Sequence, residues 1–431
     1  MIIARFPSRS KTLFTLAALA GALAAGACSD DAAASREAAR SRTRGAEDPA
    51  ASEAESGPSD AVVDAAAGRA VYDPEVIPKV ALELDAAAMA TLSNADAVAK
   101  KTWVHGRLTV GAVTFDDVGV RIKGTSTLRL PPAKPSLKIK LSKWVKGQRL
   151  DGLDELTLHN MVSDPTCLAE RLSYHVFRAM GLPASRANTA ELSINGESYG
   201  IVANVETPNK RFLARAFGGR ARTLYEINWG GGWLPGGDVT FEVDVADPTA
   251  APGTAPDLER LFATVAAARD ETLLADLKPR LDTTEWLRHS AAEAVTGHED
   301  GYAYGRWGSH NYFLAGDVDG RFALIPWSTD LSLSDSDGVA NAAEPLASTV
   351  LARCKRSACW DAYLTEVKAA LSVYESLDLV ALAHRWHDRI DPLVRADPKR
   401  EPDIEIYDAA TAALFAWLAA RPSVIREQLG L

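Results

Sequence analysis

The sequence predicts an α+β protein in two lobes, the first rich in strands and the second mostly helical. Three observations carry this. Residues 71–228 hold short alternating apolar runs broken by glycine and Asn-Gly turns, with one prominent helical stretch. Residues 257–431 hold long runs with apolar residues three and four apart, around one small strand pair. Between them, residues 229–256 are rich in Gly, Pro and Asp, with GGGW and APGTAP, and read as the connection between the lobes. A cleft is expected at the join.

In chain order, KVALELD and the run TWVHGRLTVGAVTFDDVGVRIKG are strand-like, with turn signals at Gly106, Gly111 and Gly119. SLKIKL alternates, with Leu137, Ile139 and Leu141 on one side and Lys138 and Lys140 on the other. A long helix is expected from about Pro165 to Met180, with Asp164 or Thr166 as N-cap and Gly181 and Pro183 ending it. Its buried stripe is Leu168, Leu172, Val176 and Met180, with Glu170 and Arg171 off that stripe. AELSING and YGIVANVET form a hairpin around Asn195-Gly196, a dipeptide suited to the positive φ angles of a tight turn. A helix at 207–217 and the strand TLYEIN close this half. Helices at 257–268, 270–280, 283–296, 344–353, 358–371, 377–396 and 406–428 make up the second, with Pro422 breaking the last near its end.

The chain has 431 residues, 47% of them hydrophobic, enough for a sizeable core. A net charge of −10 argues against nucleic acid as a partner, because phosphate backbones call for a basic face. Residues 1–27 read as a signal peptide: Arg5, Arg9 and Lys11 precede an apolar run, Leu13 to Leu23, too short for a permanent span. Ala25-Gly26-Ala27-Cys28 looks like a bacterial lipobox, which makes Cys28 the lipidated residue. Residues 28–70 have few large apolar side chains and read as a disordered tether. An exported protein held in the bacterial envelope follows, at the outer membrane and periplasm or the cell surface, meeting the membrane through its lipid anchor alone. In that oxidising setting Cys354 and Cys359 are spaced to close a small disulfide loop, and Cys167 is expected to be a free buried thiol.

The densest set of chemical groups lies between Gly297 and Gly338: loop, strand, tight turn, strand, loop. Asp317 and Asp319 suit the hairpin turn, and Asp335 to Gly338 a solvated loop. Asp300, Asn311 and Asp330 sit at the strand ends, flanked by apolar and aromatic residues. Presented to one cleft, they are the hard oxygen ligands that suit Mg²⁺.

RIKGTST, KPSLKIKL, LHNMVSDPT, NGESYG, EDGYA, HNYFL and IPWSTD, collinear over about residues 76–335, resemble the spore-coat protein H (CotH) kinase family. The resemblance implies an atypical protein-kinase-like fold and transfer of phosphate from ATP, with Mg²⁺ or Mn²⁺, to Ser or Thr of a protein substrate. It gives Lys138 the α/β-phosphates, with Lys134 or Lys140 as substitutes. Glu170 would hold that lysine as an ion pair, or Glu206 in its place. Asp300 would be the catalytic aspartate, and Asn311 and Asp330 would hold the metal. His310 is expected to pack or orient. A kinase-like frame used for surface binding or adhesion, a structural envelope protein, and transfer of a different group remain alternatives, because fold alone does not force phosphoryl transfer.

Overall fold

The computed structural model describes residues 68–229, 232–234, 239–251, 253–334 and 341–431. The signal peptide, Cys28 and nearly all of the tether lie outside the described residues, as does the run Asp335 to Gly338.

Alternation and turn chemistry build the first half as a closed barrel. Its strands are β1 (Lys79–Glu83), β2 (Val104–Val110), β3 (Val113–Lys123), β4 (Ser136–Lys140), β5 (Glu155–His159), β6 (Ala187–Ile194) and β7 (Glu197–Val205). The order is β1-β2-β3-β4-β5-β7-β6, closed by a parallel pairing of β1 with β6. Leu137, Ile139, Val120, Leu156 and Leu158 fill the interior, and the residues alternating with them at this end of β3, β4 and β5 point outward. Asn195 and Gly196 turn the β6–β7 hairpin with φ of 52° and 79°. The Asn195 side chain also accepts from the Leu84 amide at 2.7 Å, so the turn is tied to the end of β1.

Twelve helices are described: α1 (Arg69–Tyr72), α2 (Ala86–Leu92), α3 (Ala95–Ala99), α4 (Ala169–Ala179), α5 (Lys210–Phe217), α6 (Pro256–Ala267), α7 (Leu273–Leu277), α8 (Thr283–Thr296), α9 (Val350–Cys354), α10 (Cys359–Ser376), α11 (Leu379–Ala396) and α12 (Ile404–Leu429). Helix α4 starts four residues later than its sequence pattern suggests. Asp164 and Thr166 still satisfy its first turn: Asp164 Oδ2 accepts from the Ala169 amide and Thr166 Oγ1 from the Leu168 amide. The expected stripe is buried, but so are Glu170 and Arg171, because the first half of α4 is enclosed while exposure begins only toward its C-terminal end.

The strand pair of the second half is β10 (Tyr312–Asp317) and β11 (Phe322–Pro326). It belongs to a four-stranded sheet, β11-β10-β8-β9, with β8 (Ala221–Trp229) and β9 (Thr240–Val245). The stretch expected to be a plain connection therefore contributes a strand. Asp317 makes the β10–β11 turn as expected, its Oδ1 accepting from the Asp319 and Arg321 amides. Pro422 does not break α12. The Leu418 carbonyl, which would have bonded to an N–H at position 422, accepts instead from the Tyr374 hydroxyl at 3.1 Å. Cys354 and Cys359 form the expected disulfide, while Cys167 is free and half-buried.

Candidate active site

Two loops of the helical half meet beside the polar face of the barrel. The first follows α8 and carries Asp300. Glu293, buried inside α8, sets its shape: its carboxylate oxygens accept from the Tyr302 amide at 2.8 Å and the Ala303 amide at 2.6 Å. Burial pushes Glu293 up, but His289, 3.1 Å away, together with His298 and the Ala303 amide, outweighs it and leaves the carboxyl below its ordinary value. Gly301 lies against that clamp, since a Cβ there would sit 2.4 Å from Glu293 Oε1.

The second loop follows β11 and carries Asp330. Its backbone is pinned to the first: the Glu299 amide donates to the Leu331 carbonyl at 3.0 Å, and the Leu333 amide to the Thr296 carbonyl at 2.8 Å. The first of these joins residues next to Asp300 and Asp330, and the Asp300 charge acts on Asp330. Asn311 and Ser328, at the open end of the hairpin, hold left-handed φ of 53° and 51°, uncommon for residues with a Cβ. The Trp327 amide donates to the Asn311 carbonyl at 3.0 Å and fixes that end.

Eleven positions separate Asp300 from Asn311, yet loop closure brings them together. Asn311 Nδ2 donates to Asp300 Oδ2 at 2.5 Å, and His310 Nε2 pairs with Oδ1 at 2.5 Å. His310 Nδ1 faces the Gly308 carbonyl at 2.8 Å. Asp330 accepts from Ser328 Oγ at 3.0 Å. Burial, then repulsion from Glu170, raises Asp330 to about 7, with His159 acting the other way and Asp300 adding to the rise.

The barrel side differs from the sequence expectation. Lys138 does not meet Glu170; its ammonium lies 3.0 Å from Glu155. The lysine that reaches the Glu170 end of the site is Lys123, the last residue of β3. Its Nζ lies 2.6 Å from His159 Nε2, and His159 Nδ1 lies 2.9 Å from both oxygens of Glu170. Burial and the Lys123 charge keep His159 well below its ordinary range, so it is a neutral ring. It accepts from the ammonium and donates to the carboxylate. Burial draws Lys123 down to about 8 and pushes Glu170 up to about 8. The Lys123 ammonium also stands 4.9 Å from the Trp327 ring centre, just before the Asp330 loop. Strand register explains the exchange. Lys138 stands opposite Arg121, whereas Lys123 stands opposite Ser136, one outward-facing pair nearer the end of the strands where His159 and Glu170 lie.

Of the three remaining candidates, two hold structural pairs elsewhere. Lys134 is buried against Asp397 and donates to the Ile201 carbonyl at 3.0 Å, tying the approach to β4 to β7 and to the end of α11. Glu206 lies between Arg186 and Arg215, each 2.7 Å away. Lys140 pairs in register with Gly119 and Glu155, farther still from Glu170. Sequence reasoning passed over Lys123, His159 and Glu293. Two of these had a signal: VRIK puts a lysine at the last position of a strand, and LHN puts a histidine at the end of another.

The site thus joins a train of half-buried lysine, half-buried histidine and buried glutamate to two carboxylates and an amide. Among the described residues, no group of three or more His, Cys, Asp or Glu side chains is arranged as a ready metal site. No described helix is long and apolar enough to cross a membrane.

The chain is 22% identical over 297 residues to inner spore coat protein H of Bacillus subtilis (strain 168), covering 65% of this chain and 80% of that protein. It is 26% identical over 296 residues to invasin CotH2 of Rhizopus delemar, covering 60% of this chain and 47% of the invasin. A spore coat protein homolog of the same fungus matches at 26% over 196 residues, 42% of this chain and 32% of the relative. The chain therefore spans less than half the length of either fungal protein. The Helicobacter pylori proinflammatory kinase CtkA aligns over 76% of this chain and 92% of its own, at 11% identity and a TM-score of 0.29. The CotH kinase protein family matches residues 120–425, from β3 into α12. On that match, which spans well over half of its length, the chain belongs to the CotH kinase protein family.

Proposed function

We propose that the protein is an atypical protein kinase that transfers the γ-phosphate of ATP to a Ser or Thr hydroxyl of an envelope or coat protein, with Mg²⁺ or Mn²⁺. The observation that carries this reading is the Lys123–His159–Glu170 train set beside Asp300, Asn311 and Asp330. A cationic end and an oxygen-rich end on one site are what polyphosphate chemistry calls for. In this reading the barrel half and the helical half are the two lobes.

The residues fit a divalent cation through their chemistry. Asp330 and Glu170 are both raised by burial, and Glu170 and Asp300 crowd Asp330 with like charge. Positive charge between them would return Asp330 to its ionised form. Asp330 and Asn311 would hold the ion, a donor set small enough to leave places for phosphate oxygens and water. When bound, the ion would offset charge on the transferring phosphate.

Lys123 would donate to the α/β-phosphate oxygens, with neutral His159 and Glu170 fixing its direction. Asp300, steadied by His310 and Asn311, would orient the acceptor hydroxyl and take its proton. The bond from the γ-phosphorus to its bridging oxygen breaks, a bond to the hydroxyl oxygen forms, and ADP leaves with the electron pair. Export and a lipid on Cys28 complete the proposal; they are supported by the leader pattern and by relatives named for a spore coat and for invasion.

The test is calorimetry with the full chain in detergent, titrating ATP with Mg²⁺ or Mn²⁺, for wild type and Asp330→Ala. Metal-dependent binding lost in the variant supports the reading. A folded wild-type protein that binds no nucleotide removes it and leaves the surface-binding alternative, which the invasin relative favours.

A further inference from the structure

The β11-β10-β8-β9 sheet ends on β9, and among the described residues no strand lies on its outer side. An open strand edge presents unpaired N–H and C=O groups, which natural proteins usually blunt with charge, proline or a covering element. Here one face of β9 does the opposite. Phe241 and Val243 share a face with Tyr225, Ile227, Tyr312 and Leu314, which are buried in the core. Phe241 packs edge-on against Tyr225 at 5.8 Å, yet it and Val243 remain 37% and 38% exposed. Among the described residues, the core face of the sheet thus runs on to its edge without cover. The other face of β9 carries Glu242 and Asp244, with Glu242 paired to Lys101 in solvent at 2.7 Å.

The edge also points at the site. Asn311 immediately precedes Tyr312, which stands opposite Ile227, which stands opposite Phe241. One row of residues therefore leads from the metal-binding candidate to the open edge. A further strand beside β9 would lie about three strand spacings, or about 14 Å, from that start of β10. About four extended residues span that gap.

We propose that β9 is a docking edge on which an extended segment of the protein substrate adds as an antiparallel strand. Its apolar residues at alternate positions cover Phe241 and Val243, and basic residues between them face Glu242 and Asp244. Main-chain hydrogen bonds supply affinity and the alternate side chains supply selectivity, as in other strand-addition complexes. Such a segment leaves β9 at its Thr240 end, so the acceptor hydroxyl follows the docked stretch by about four residues. The occupant's being a substrate and this destination rest on the kinase reading; strand addition at the edge does not.

The probe is a fluorescein-labelled synthetic peptide, Val-Lys-Val-Lys-Val followed by four glycines and a serine, with the full chain in detergent and no nucleotide. Fluorescence polarisation should show binding that weakens by about tenfold or more in Phe241→Lys and in Val243→Lys. Both positions are exposed, so both variants should keep the wild-type unfolding temperature. The same peptide N-methylated on alternate residues of its pairing edge keeps its side chains but loses its donors, and should not bind. No binding by wild type, or binding indifferent to both lysine variants and to N-methylation, overturns the proposal. So does a sedimenting dimer that Val243→Lys dissolves, since the edge would then serve a second copy. With ATP and Mg²⁺ added, phosphate on the peptide serine reads the kinase function separately. Edge-dependent binding without phosphate leaves the docking edge standing and counts against the kinase reading alone.

Discussion

The β10–β11 hairpin and the β3–β4–β5 wall of the barrel bring charges to the same site in different ways. On the hairpin side, side-chain bonds within about a dozen residues hold each group, and longer-range backbone bonds join the loops. Asn311 and His310 bind Asp300, Ser328 binds Asp330, and two backbone bonds join the loops that carry them. On the barrel wall, position depends on register between strands tens of residues apart. Lys123 reaches His159 across 36 positions of sequence, and Lys138, two residues along β4 from the Lys123 partner Ser136, is committed to Glu155 instead. Local bonds orient each carboxylate, and backbone bonds between the loops bring them together. Lateral register chooses one lysine from several similar ones.

The sharpest way to break this comparison is to remove one group from each side. Asp300→Asn and Asp330→Ala should each lower phosphate transfer by about a thousandfold or more, measured as phosphate incorporated per protein at saturating ATP. Lys123→Ala should cost on the order of a hundredfold, whereas Lys138→Ala should stay within about fivefold. Equal losses, or a larger loss at Lys138, would restore the lysine that the family resemblance suggested.

The structural ion pairs sharpen the contrast by affecting stability and not chemistry. Asp397→Ala leaves Lys134 buried without its carboxylate and should cost about 3–5 kcal/mol in denaturant unfolding. Glu206 gives a pH signature. Burial opposes its ionisation, but Arg215 and Arg186 prevail and hold its folded pKa below the ordinary 4.5. Its stabilisation is therefore complete above about pH 4.5 and is lost as pH falls through the lower folded value. Unfolding midpoints of Glu206→Gln should be lower than wild type at neutral pH, with the gap closing on acidification below that point. The smallest expected effect is at the Cys354–Cys359 loop. Replacing both by serine should cost about 2 kcal/mol, because so short a loop restrains little chain entropy.

Local patterning carried much of the fold. The Asn195-Gly196 hairpin, the Asp317 turn and the bounds of α8 followed from residues a few positions apart. Helix α12 did not, because the group that compensates Pro422 is a tyrosine 48 positions earlier in the chain. Strand β9 was missed because Gly, Pro and Asp around it read as connection, while its partner β8 supplies the order. Asp300, Asn311 and Asp330 were legible as a set because they punctuate one hairpin. Glu293 was not, being one carboxylate within a run of helix, its role visible only once the Asp300 loop closes onto it.

The sequence by itself determined that this chain alternates into strands first and helices later, and that three oxygen-bearing side chains cluster around one hairpin. Period and turn chemistry act over a few residues, and so they can be read without a partner. Tertiary structure alone decided that Lys123, not Lys138, stands with Glu170, that a neutral histidine lies between them, and that Lys134 and Glu206 serve the frame. Those outcomes turn on register and burial, which exist only after strands far apart in the chain have paired and water has left the space between them.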